Sequence, residues 1–72
     1  MRLDDLPELE TNSRKLITLL ERDGFERVGI RGSHHKFRKG KISLVVPHPK
    51  KDLPLGTVRA IYRQAGWLKD PS

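Results

Sequence analysis

The spacing of apolar residues changes twice along this chain, and that change limits its possible folds more than any other feature. Leu16, Ile17 and Leu20 recur at helical spacing. After Gly24 the pattern turns to period two, with Val28 and Ile30, then Ile42, Leu44 and Val46 at alternate positions. From Leu55 a helical stripe returns through Val58, Ile61, Tyr62 and Ala65. Thr11, Asn12 and Ser13 offer N-caps for the first helix, and Gly24 its stop. Gly32-Ser33 is a turn, and "HHKFRK" and "KISLVV" flank Gly40 as a hairpin. Prolines 47, 49 and 54 make "PHPKKDLPLG" a connection, and Gly66 closes the second helix, with Trp67 and Leu68 folding back on its end. The order is helix, three antiparallel strands, helix. A small sheet with one apolar face needs both helices on that face, so the class is α+β. Residues 1–10 hold a proline, clustered acids and no apolar period and read as an acidic tail; residues 11–72 form the domain.

With 72 residues the core is thin, and with no cysteine there is neither a disulfide framework nor a thiolate metal site. A domain without staples fits a reducing compartment, and no apolar run approaches the roughly 20 residues that cross a bilayer. The expectation is a soluble cytoplasmic protein with no membrane partner. The charge is uneven. Residues 1–26 carry four basic and seven acidic side chains, net −3, and residues 27–72 carry eleven basic and two acidic, net +9. A concentrated positive surface attracts polyanions, of which nucleic acid is the commonest inside cells. A merely well-charged soluble surface is the plainer explanation.

Two adjacent histidines stand within that basic part, in "GSHHKFRKGK". If Phe37 points into the core, strand alternation leans His35 to the same side and sets His34, Lys36 and Arg38 on the open face. Ser33 lacks a nucleophile-elbow sequence and a third acid, and fits a turn hydrogen bond. His34, His35 and His48 are offset by loops, with few carboxylates nearby, so no metal site is expected. RNA chemistry suits what remains. A 2′-hydroxyl attacks the adjacent phosphorus once a group takes its proton and cations stabilise the crowded phosphorane, and imidazole titrates near cellular pH. On the residues alone, a module that binds RNA without cutting it is an equal alternative.

"LLERDGF", "GSHHKFRK", "VVPHP" and "KKDLPLGTVRAIYRQAGW" together resemble the HicA family of toxin mRNA interferases, over about residues 11–68. The resemblance implies a double-stranded-RNA-binding-domain-like αβββα fold and a metal-independent endoribonuclease without cofactor that acts on mRNA. It also implies a HicB-like antitoxin partner, with the free toxin a monomer and the complex a hetero-oligomer. The histidine after the glycine-small pair carries the catalysis in this reading, which names His34, with His35 as runner-up. Lys36, Arg38, Lys39, Lys41, Ser33 and His48 are the candidate RNA-binding residues. Arg59 and Arg63 extend the basic surface or solvate the second helix. Trp67 fits packing at the helix end better than stacking on a base. The rival class, a non-catalytic double-stranded-RNA-binding module, would carry a basic cluster where the last helix begins. Only Lys50 and Lys51 stand there.

Overall fold

A computed structural model describes residues 9–68. In order it contains α1 (Ser13–Arg22), β1 (Glu26–Arg31), β2 (His34–Lys39), β3 (Ile42–Pro47) and α2 (Leu55–Gln64). The strands form one antiparallel sheet in the order β1-β2-β3, with both helices on one face: the αβββα arrangement expected. Among the described residues no helix is long and apolar enough to cross a membrane.

Both helices end in the same way. Gly24 and Gly66 take positive φ (100° and 83°), a backbone open to glycine at little cost. Each lets the following aromatic turn back: Phe25 N–H donates to the Leu20 carbonyl (3.0 Å) and Trp67 N–H to the Tyr62 carbonyl (2.9 Å). Both aromatics are buried. Trp67 packs edge-on against Tyr62 at 5.0 Å, and its indole N–H donates to Asp23 Oδ2 at 2.9 Å, tying the end of α2 to the end of α1. Packing is thus the role the structure gives Trp67. At the other end of α1, the Asn12 side chain accepts from the Lys15 N–H as N-cap.

Phe37, Leu44 and Val46 from the sheet meet Leu16, Ile17 and Leu20 of α1 and Val58, Ile61 and Tyr62 of α2 in one core. Burial of each such side chain is worth about 1.5–3 kcal/mol. Four apolar positions depart from their stripes: Ile30, Leu55, Val28 and Ile42 are 60%, 59%, 51% and 36% exposed. The helices pack over β3, and β1 lies beyond their cover. A register irregularity between Arg27 and Gly29 also breaks the alternation of β1. Arg27 is paired with Phe37 and Ile30 with His35, so both stand on the helix side, at its uncovered margin.

Of the acidic segment 1–10, only Leu9 and Glu10 are among the described residues. There Leu9 packs against the core, and the Glu10 N–H donates to the Tyr62 hydroxyl at 3.0 Å. Residues 1–8 lie outside the described part.

Candidate functional site

Alternation along β2 separates the paired histidines. His34, Lys36 and Arg38 are exposed on the open face, whereas His35, like Phe37, is buried on the helix side. His35 is held there by a neighbour distant in sequence. The His48 ring meets it edge-on with centroids 5.0 Å apart.

His48 is itself fixed. Its backbone N–H donates to the Ser33 carbonyl (2.8 Å), extending the β2–β3 ladder, and its Nδ1 lies 2.7 Å from Ser13 Oγ. The Ser13 hydroxyl accepts from the Lys50 N–H (2.8 Å), while the Ser13 N–H donates to the Lys50 carbonyl (2.9 Å). The first residue of α1 and the proline-rich connection therefore clamp each other, and His48 is pressed against His35. Ser13 was legible only as a capping residue. Its side chain is instead a support for the histidine pair.

The surroundings favour a neutral His35. Burial, then the positive charge of Arg27, then His48 hold its pKa below the ordinary 6.5. Its Nδ1 is shut off from solvent without a hydrogen-bond partner. Arg27, unremarked in the sequence, also stands over the Phe37 ring at 5.5 Å.

The basic candidates divide. Lys36 and Arg38 share the open face with His34, and the Arg38 Nε donates to the Gly40 carbonyl (3.1 Å). Lys39 has a structural engagement: its ammonium is 3.3 Å from Asp23 and lies over the Phe25 ring at 5.7 Å. Burial pushes the Asp23 carboxyl up, but hydrogen bonds from Trp67 and Lys39 and the Lys39 charge outweigh it and hold it below the usual value. Lys41 is exposed in the hairpin turn. Ser33 contributes its carbonyl to His48. Among the described residues, no three His, Asp or Glu side chains converge as a metal-ligand set.

Comparison with curated proteins gives no match. The family model described as HicA toxin of bacterial toxin-antitoxin matches residues 13–67, from the start of α1 through Trp67. The span takes in every helix and strand and most of the chain, so the protein belongs to the HicA toxin family of bacterial toxin-antitoxin systems.

Proposed function

We propose that this toxin is an endoribonuclease that cleaves mRNA without a metal ion, with a β2 histidine as the proton-transfer group, and that a HicB-like antitoxin neutralises it. The observation that carries the reading is the seating of His35: a buried, neutral imidazole, fixed by His48 and Ser13, with Arg27 beside it. A general base works best when its ring is already oriented and its proton site empty at working pH.

In this mechanism His35 takes the proton of a 2′-hydroxyl while the 2′-oxygen forms a bond to the adjacent phosphorus. The bond from phosphorus to the 5′-oxygen then breaks, that oxygen takes a proton from water, and the His35 imidazolium returns its proton to solvent. The products are a 2′,3′-cyclic phosphate and a 5′-hydroxyl. Arg27, whose charge acts on His35, is the proposed cation for offsetting charge on the phosphorane. The sequence favours His34 for the catalytic role; burial and fixation favour His35. His34, with Lys36 and Arg38, then serves as a contact for the sugar-phosphate backbone. Both histidines sit at one end of the sheet, beside the Gly32-Ser33 turn, so an RNA strand crossing that end meets both faces.

The test is incubation of the purified protein with end-labelled single-stranded RNA in excess EDTA, with analysis of the product ends. The expected result is cleavage leaving 2′,3′-cyclic phosphate. RNA that is bound and left intact, with magnesium or ribosomes restored as well, would replace this reading with the non-catalytic binding module.

A further inference from the structure

The phase of the β2–β3 ladder decides which backbone groups of β3 face outward. The His48 N–H donates to the Ser33 carbonyl, which makes His34–Pro47 a non-hydrogen-bonded pair and His35–Val46 and Phe37–Leu44 the bonded ones. Leu44 and Val46 thus direct their N–H and C=O at β2. Ser43 and Val45 direct both groups away from the sheet, and Pro47 its carbonyl. β3 is an edge strand, and among the described residues no backbone hydrogen bond reaches these outward groups.

Beside this edge runs an open cleft of ≈ 540 Å³ between β3 and α2. Gly56 and Ala60, one turn apart on α2, leave room along its wall, and Leu44 and Ile61 supply apolar surface.

We propose that the β3 edge and this cleft dock an extended, acidic segment of the antitoxin, which adds a fourth strand to the sheet. The inference rests on membership of the toxin family, which implies an antitoxin, and not on the ribonuclease reading. Alternating N–H and C=O groups are matched by another peptide backbone, which nucleic acid does not supply. Charge sets the character of the segment. Lys36 and Arg38 pair with Val45 and Ser43 on the open face. A strand added at the edge lies about 4.8 Å from β3 and about 10 Å from β2, within reach of those long side chains. Its side chains on that face are therefore acidic, and those on the other enter the cleft. A second copy of this chain is the poorer occupant, because it would set two such basic faces side by side, each chain carrying +6.

The experiment uses the full chain and its cognate antitoxin, with affinity measured by calorimetry. Val45→Pro removes an outward N–H that the sheet does not use. Gly56→Arg fills the cleft from a position where an added Cβ meets nothing within 4 Å. Each variant is expected to keep the wild-type circular dichroism and to lose about tenfold or more in affinity, and the Val45 amide to exchange about tenfold more slowly in the complex. Binding by both variants within about twofold of wild type, with Val45 exchange unchanged, would overturn the proposal. So would a wild-type chain that does not bind this antitoxin, or a wild-type homodimer that Val45→Pro dissolves. Loss of RNA cleavage with antitoxin binding intact would bear only on the ribonuclease reading.

Discussion

His34 and His35 are consecutive, yet one stands exposed on the open face beside Lys36 and Arg38, and the other, 9% exposed, lies against His48 on the helix side. The same pleat that separates them gives each a different chemistry. His34 is free to meet an anion in water, whereas His35 has a fixed ring, a lowered pKa and a cationic neighbour. In the proposed reading, one residue of strand separates a contact from a base. The two faces of β2 should therefore respond to substitution in different currencies, the buried face in folding and proton transfer, the open face in RNA affinity.

The harshest way to probe the buried face is Phe37→Ala, which should cost about 3–5 kcal/mol in denaturant unfolding. Ile30→Ala, on the same side but beyond helix cover, should cost under about 1 kcal/mol. Equal costs would mean that β1 is covered after all.

A pH series sharpens the contrast further. With His35 as base, kcat/KM should fall about tenfold per pH unit on the acid side, with a midpoint below 6.5. Arg27→Ala removes a positive neighbour and should move that midpoint upward. A midpoint that ignores Arg27 would point to another group. Stability follows the same sign: the folded chain holds fewer protons on His35 than the unfolded chain, so its contribution is present above pH 6.5 and is lost as pH falls through the lower folded-state value.

On the open face the joint change Lys36→Ala and Arg38→Ala should weaken RNA binding several-fold and flatten its salt dependence, while kcat in saturating RNA holds; filter binding at two salt concentrations measures both. Lys39→Ala should act mainly on thermal stability, by about 1 kcal/mol or less, because its ion pair with Asp23 is partly exposed. A Lys39 effect on RNA affinity as large as that of Lys36 and Arg38 would erase the division between them.

Much of this arrangement was legible in the chain. Asn12 and Gly24 bracket α1 because capping chemistry is local, and Phe37 predicts the inward side of β2 because a central strand under two helices alternates strictly. The misreadings come from what alternation cannot carry. Val28 and Ile30 look like core residues, but the irregularity after Arg27 and the position of the helices over β3 leave them in solvent. Ser13 and His48 are joined across 35 residues by the path of a proline-rich connection, which no local period encodes. Arg27 reaches the histidine site only through the β1–β2 register, and Lys39 is engaged by an aspartate sixteen positions upstream.

Single-turnover cleavage of a labelled single-stranded RNA by wild type, His34→Ala and His35→Ala in parallel, in EDTA, with folding checked by circular dichroism, distinguishes the roles of the two histidines. His35→Ala is expected to lose about 10²–10⁴-fold in rate with its fold intact, and His34→Ala only what extra RNA restores. A His34→Ala protein that is inactive at saturating RNA, beside a His35→Ala protein that still cuts, would contradict the assignment of His35 as the base.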